Sequence, residues 1–295
     1  HYPLRRQRQM CIRDSAVGSM YAVGALALSL LWGTMGMLNL AHTTFIALGG
    51  YVAYFCMSVI NASWFFVLPL AFLSGLVMGY IYYHLVIRHI YANQNFSVNI
   101  IIASVAIAAL GENTFLNLAG GEALRQPFQF TSGLKIIGVV LPYQTIFTFI
   151  MVIILMVIMA LIMSKSKLGQ VIRAVSQNPD AAKLMGINVQ KSFAQAMMLY
   201  GSIAAITGVL VTGASQVFPS VGGDATVKAL IILIVAGLGN LRAGIFMAFA
   251  LGFLEMGVNY LFGSRYGFPS MLGFVIIVLL FKPNGFFGKE VVNRV

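Results

Sequence analysis

Hydrophobic residues occur in long, continuous blocks along this chain. No Asp, Glu, Lys or Arg lies between Ser15 and Ile87, a run of 73 residues. At about 20 residues for each bilayer crossing, this run accommodates about three membrane helices. Further blocks follow, and the apolar segments fall near 16–34, 37–58, 64–87, 97–118, 143–163, 193–217, 226–238, 241–262 and 267–281. The pattern predicts an all-α, polytopic membrane protein with eight or nine transmembrane or re-entrant helices.

The short segment at 226–238 leaves that count open. It ends in Gly237-Leu238-Gly239-Asn240, which predicts a broken or re-entrant helix. Such a break is stable at membrane depth only where protein or a water-filled cavity satisfies its backbone polar groups. A related pattern occurs earlier, because residues 36–47 match residues 237–248 at five of twelve positions. Internal repeats of this kind occur in transporters, although glycine-rich apolar sequence also produces such matches by chance.

Composition and charge exclude several classes of protein. The chain has 60% hydrophobic and 8% charged residues, whereas soluble domains carry about 25% charged residues. A soluble enzyme, a secreted disulfide scaffold and a disordered tail are therefore excluded. The net charge is +11, but the basic residues lie in short loops, where Lys and Arg indicate the cytoplasmic side. We expect no nucleic-acid partner.

The loop at 164–192 determines the predicted orientation. Within it, five basic residues accompany a single acidic residue, Asp180, which predicts a cytoplasmic location. The two cysteines and four histidines show no metal-ligand spacing. No combination of nucleophile, base and acid is visible either. We therefore expect no catalytic residue, no cofactor and no metal.

The same loop carries the signals of a short helix. Asn178 is a good N-cap and Pro179 suits the first helical position. Ala181 and Ala182 favour helix, and Gly186 is placed for a left-handed C-cap. A helix of two turns is marginal by itself in water, so we expect it to dock, either on a partner or on its own bundle.

These segments together resemble the permeases of branched-chain amino acid ABC transporters. The loop sequence "GQVIRAVSQNPDAAKLMGINV" is similar to their cytoplasmic coupling loop. The sequences "ALALSLLWGTMGMLNLAHTTFIALGGYVAY" and "GLGNLRAGIFMAFALGFLE" are similar to an early and a late segment, and "FKPNGFFG" to the closing tail. The likeness covers Ala16 to Gly288. Thr43, where members often have Gly, and Gly239-Asn240, where they often have Gly-Ser, depart from the pattern and leave the solute open.

The resemblance implies an importer subunit in the bacterial inner membrane. Its partners would be cytoplasmic ATP-binding subunits, a second permease (a second copy or a sister protein), a periplasmic solute-binding protein and a small amino-acid substrate. The chain has no phosphate-binding loop of its own, so ATP hydrolysis would come from the partners. The positions that match the ATPase-coupling loop are Gly169, Arg173, Ala174, Asn178, Pro179, Ala181, Ala182, Gly186 and Ile187.

Polar residues inside the predicted spans are candidates for function because burying them in a membrane is costly. They either line the translocation path or pin helices together. The candidates are Asn39, His42, Gly237, Gly239, Asn240 and Glu255.

Three domain assignments and two alternative functions complete the prediction. Residues 1–15 are expected to be a non-native or disordered extension, 16–288 a single permease domain, and 289–295 a cytoplasmic tail. An ABC permease for another small polar solute, such as an amide, urea or a sugar, is one alternative. An ATP-independent channel or secondary transporter is the other.

Overall fold

A computed structural model describes residues 22–91, 96–126, 133–136, 139–263 and 265–288. The predictions for 1–15 and 289–295 lie outside these residues. In chain order the elements are α1 (Ala22–Met35), α2 (His42–Val59), α3 (Trp64–Tyr82), a π-helical turn (Tyr83–Ile87), α4 (Arg88–Ile90), α5 (Phe96–Ala119), β1 (Gly133–Ile136), β2 (Val139–Pro142), α6 (Tyr143–Lys165), α7 (Lys167–Gln177), α8 (Pro179–Leu184), α9 (Val189–Ala214), α10 (Val221–Ala236), α11 (Leu241–Phe262) and α12 (Gly267–Phe281).

The described chain is helical, as predicted, apart from one short hairpin. Strands β1 and β2 pair antiparallel within the long loop between α5 and α6. Five helical stretches are long and apolar enough to cross a membrane: 64–90, 98–119, 146–165, 189–214 and 243–262. Two shorter apolar helices, α1 and α12, accompany them. The protein is therefore a multi-pass membrane protein.

Helix α9 is the centre of the bundle. In its most apolar stretch of 18 residues, 83% of the residues are buried. In the corresponding stretches of the other four long helices, only 17–28% of the residues are buried. Close approach of helix backbones makes this packing possible. A Cβ at Gly49 of α2 would collide with the carbonyl oxygen of Ala205, and one at Gly75 of α3 with that of Gly201. Small residues at helix crossings are the usual means by which membrane helices approach one another.

Two helix breaks interrupt the bundle at similar sequences. Helix α1 ends before Gly36, which has φ +63°, and α10 ends before Gly237, which has φ +97°. Three residues further on, each break has an asparagine whose Oδ1 accepts a backbone N–H. Asn39 accepts from Ala41 at 3.1 Å, and Asn240 accepts from Ala243 at 3.2 Å. The similarity of 36–47 to 237–248 therefore coincides with a similarity of local structure.

One local expectation was wrong. The apolar pattern predicts a short segment that starts near residue 226, close to Lys228, but α10 begins earlier, at Val221. Lys228 consequently lies in the middle of α10. The reason is that Gly222, Gly223 and Asp224 are helical despite their poor helix propensity, because Gly222 packs directly on the backbone of Thr43 in α2.

Candidate functional site

The loop 164–192 folds as two helices, α7 and α8, rather than as the single short helix that its caps predict. Ser166 is the N-cap of α7, and its Oγ accepts the backbone N–H of Gly169 at 3.0 Å. Gly169 lies so close to α6 that a Cβ would collide with the carbonyl oxygen of Ile162. The guanidinium of Arg173 donates to the carbonyl oxygen of Met163. Two residues of the predicted coupling loop therefore fix α7 to the end of α6.

Helix α7 is amphipathic and lies against the bundle. Ile172 and Val175 are buried, whereas Ala174 on the opposite side is exposed, and Arg173 lies at the edge of the buried face. Its helical spacing of apolar residues would have revealed α7 in the sequence.

The caps of α8 are those that the sequence predicts. Asn178 Oδ1 accepts the N–H of Ala181 at 3.0 Å, and Pro179 occupies the first helical position. At the other end Gly186 has φ +80°, and the N–H of Ile187 donates to the carbonyl oxygen of Ala182 at 3.0 Å. This pairing is the Schellman C-cap. Local hydrogen bonds therefore define a helix of only six residues at both ends.

Helix α8 presents apolar side chains away from the bundle. Ala182 is its buried residue, whereas Leu184 and Met185 are 89% and 83% exposed. Few large apolar side chains in the described chain are so exposed, and these two are adjacent. Near the helix start Tyr91 lines the same cleft as Pro179 and Asp180. Burial, and secondarily the negative charge of Asp180, raise the pKa of the Tyr91 phenol, so the phenol remains neutral.

A buried polar cluster lies near the middle of α9. Asn39 and His42 are both fully buried. His42 Nδ1 and Tyr200 Oη are 2.9 Å apart, Asn39 Nδ2 donates to the same hydroxyl at 3.4 Å, and Tyr82 Oη donates to Asn39 Oδ1 at 3.1 Å. The cluster therefore joins the first helix break to α3 and α9. Tyr82 and Tyr200 escaped the sequence analysis because only the fold brings them together.

The second helix break contacts residues 286–288. The N–H of Phe286 donates to the carbonyl oxygen of Val235 at 2.9 Å, and that of Phe287 donates to Ala236 at 3.2 Å. Asn240 Nδ2 donates to Phe287 O at 3.3 Å. Helix ends leave such carbonyl groups without partners within the helix. The closing Pro-x-Gly segment therefore completes the C-terminus of α10, and Gly237 lies against it without room for a Cβ.

An ion pair joins the two helices that flank this break. Lys228 Nζ of α10 and Glu255 Oε1 of α11 are 2.5 Å apart, with side chains 12% and 14% exposed. One turn before Lys228, Asp224 is exposed on the outer side of α10. It lies in the first turn of α10, where Gly222 packs on Thr43, next to His42.

The predicted residues therefore form three groups, and two of these meet at a cavity that both Arg173 and Gly239 line. Gly169, Arg173, Asn178 and Gly186 belong to the α7–α8 unit, Asn39 and His42 to the polar cluster, and Gly237, Gly239 and Asn240 to the second break. Glu255 stands apart in its ion pair with Lys228. Among the residues that the structure describes, no group of three or more metal-ligating side chains occurs.

The family model described as branched-chain amino acid transport system, permease component, matches residues 13–281. The chain belongs to this family. The high-affinity branched-chain amino acid transport system permease protein BraD of Pseudomonas aeruginosa is 27% identical over 97% of both chains. The protein of Escherichia coli with the same description, LivH, is 24% identical over 97% of both. The probable branched-chain amino acid transport permease protein LivH of Methanocaldococcus jannaschii is 27% identical over 90% of this chain and 88% of its own. No solved structure matches the chain.

Proposed function

We propose that the chain is the transmembrane permease subunit of an ABC importer for branched-chain or related amino acids in the bacterial inner membrane. Partner ATPases dock on the 164–192 loop and drive the transport. The observation that carries this proposal is α8, a helix with complete caps that exposes Leu184 and Met185. Burying each of these side chains in a partner would contribute about 1.5–3 kcal/mol.

The attachment of α7 and α8 to the bundle explains how movement of the ATPases would reach the transmembrane helices. Helix α7 is held to α6 through Gly169 and Arg173, and α8 continues through Asn188, the N-cap of α9. A force on α8 is therefore transmitted directly to α6 and to the central helix α9. We propose that closure of the ATPase dimer moves these helices as rigid bodies between inward-open and outward-open packings.

The outer face of α10 faces the second permease and the translocation path in this proposal. A carboxylate at the centre of a membrane span costs about 2.5–3.5 kcal/mol when it faces lipid. Asp224 is exposed in the first turn of α10, so a protein or aqueous surface is its expected environment. The polar cluster around His42 pins α2 to α9 behind that face. With α1, α2, α10 and α12 taken as short or broken spans beside the five long ones, the described residues supply nine membrane helices in this proposal, the upper of the two expected counts.

The remaining parts of the proposal follow from the same assignment. Residues 16–288 form one permease domain, and a periplasmic binding protein delivers the amino acid on the opposite side of the membrane. The alternatives are an ABC permease for an amide, urea or a sugar, and an ATP-independent channel or secondary transporter. The secondary transporter is disfavoured because Glu255, its best candidate for ion coupling, is paired with Lys228.

A pull-down tests the docking of the ATPase. The tagged chain is purified in mild detergent from its own host, as the wild type and as the double variant Leu184→Ser, Met185→Ser. The control variant, Leu118→Ser, changes a residue that is 76% exposed on α5. We expect an ATPase to co-purify with the wild type and the control and to be lost from the double variant. Equal recovery in all three would contradict the docking assignment.

A further inference from the structure

A cavity of about 380 Å³ lies between α1, α6 and α7, beside the second helix break. Its size falls within the range of about 300–1,000 Å³ that is typical of small-molecule sites. Met156 and Met159 of α6 and Leu30 of α1 form an apolar wall, and Ser29 and Arg173 contribute polar groups. The cavity therefore combines an apolar surface with a few polar groups, as ligand sites generally do.

Ser29 indicates that the natural occupant is not purely apolar. Its side chain is 1% exposed, and its Oγ has no hydrogen-bond partner within the described chain. A buried hydroxyl without a partner costs about 1–3 kcal/mol. A lipid acyl chain would fill the apolar part of the cavity but would leave this hydroxyl unsatisfied. An occupant with a polar group and an apolar body suits both parts.

Arg173 adds a charge preference to the same cavity. One N–H of its guanidinium is used by the carbonyl oxygen of Met163, and the group has five N–H donors in total. The others are available to a carboxylate, with which guanidinium forms strong, paired hydrogen bonds. A carboxylate, a second polar group and a branched apolar side chain are the three parts of a branched-chain amino acid.

The position of the cavity connects its occupancy to the coupling helix. Ile172, Arg173 and Ser176 of α7 line it, and only Asn178 separates α7 from α8. A molecule held between α1, α6 and α7 stabilises the one packing in which these helices enclose it. A ligand that binds one packing better than another shifts the equilibrium towards the first.

We propose that this cavity is an inhibitory site for the transported amino acid, filled from the cytoplasm. The inference rests on the proposed function, since it assumes an importer of amino acids with the 164–192 loop in the cytoplasm. When the cytoplasmic concentration is high, the amino acid occupies the cavity, holds α7 against α1 and α6, and slows the movement of α8. The importer would then limit its own product.

The test uses right-side-out membrane vesicles that contain the complete importer and are loaded with ATP. The initial rate of labelled leucine uptake is measured in empty vesicles and in vesicles preloaded with unlabelled leucine. Preloading should slow the wild type at least fivefold. Met159→Trp places an indole in the cavity and obstructs the occupant, and Ser29→Ala removes the hydroxyl with little change of shape. The control Leu161→Trp changes a half-exposed residue of α6 that does not line the cavity.

We expect empty vesicles of Ser29→Ala and Leu161→Trp to take up leucine at the wild-type rate. The indole of Met159→Trp holds the helices as the occupant does, so its uptake should be slow already and preloading should not change it. Inhibition should disappear in Met159→Trp, require about tenfold more internal leucine in Ser29→Ala, and persist in Leu161→Trp. If Met159→Trp does not fold, Ser29→Ala still decides the question. Wild-type uptake unaffected by preloading, or Ser29→Ala inhibited at the wild-type concentration, would overturn the inference. A failure of the proposed function differs, because ATP-dependent uptake would then be missing from empty wild-type vesicles.

Discussion

Gly186 provides a sharp test of the coupling helix, because its role depends on backbone conformation alone. It has φ +80°, and a Cβ built there would meet nothing within 4 Å. Gly186→Val therefore creates no collision but forces a β-branched residue into the left-handed region. An ordinary L-residue costs about 1–2 kcal/mol there, and a β-branched residue lies at or above the upper end. Since 1.4 kcal/mol is a factor of ten, a cost of about 2 kcal/mol or more makes the C-cap of α8 form about 30-fold less often or more rarely still.

The assay is ATP-dependent uptake by cells or vesicles in which the variant replaces the wild type. We expect Gly186→Val to reduce uptake about tenfold or more while leaving the amount of folded, membrane-inserted protein unchanged. Gly186→Asn is the matched control, because Asn tolerates the left-handed conformation, and it should remain within about twofold of the wild type. Normal uptake by Gly186→Val would refute the assignment of α8 as the coupling helix.

Three further predictions concern the stability of the bundle in detergent, measured by thermal or denaturant unfolding. Tyr200→Phe should lower the free energy of unfolding by about 1–3 kcal/mol, since the buried cluster loses its shared hydroxyl. Unchanged stability would show that the cluster does not hold the helices together. Gly208→Ala should lower the free energy of unfolding by about 1–3 kcal/mol, because the added Cβ would collide with the backbone of α2. Its control is Gly257→Ala, whose Cβ would meet nothing within 4 Å. The control should leave stability unchanged or raise it slightly. Lys228→Met should lower the free energy of unfolding by about 3–5 kcal/mol, because Glu255 loses its ion-pair partner. Adding Glu255→Met should restore most of the lost stability. A double variant as unstable as Lys228→Met alone would contradict this prediction.

The sequence predicts most helices closely because burial in a membrane requires long apolar runs. The segments at 241–262 and 267–281 coincide with α11 and α12, and the caps of α8 were predictable because capping uses only neighbouring residues. Contacts between distant residues were not predictable in this way. Tyr200 reaches Asn39 across 161 positions, and nothing in the local pattern around either residue indicates the other.

The tail shows the same limit. Its sequence resembles that of the family, but its role becomes visible only where Phe286 and Phe287 donate to the last carbonyl groups of α10. Two motifs that seemed independent in the sequence, the Gly-rich break and the Pro-x-Gly tail, are therefore one structural unit. We infer that substitutions in either should disturb the same helix end.

Uptake of labelled leucine by right-side-out vesicles tests the central claim most directly. The vesicles contain the complete importer and its binding protein, and they are loaded with ATP, with ADP, or with ATP in the presence of a protonophore. The account predicts uptake against a gradient with ATP, none with ADP, and no effect of the protonophore. Uptake that persists with ADP, or that collapses when the proton gradient is dissipated although ATP is present, would identify a channel or secondary transporter instead.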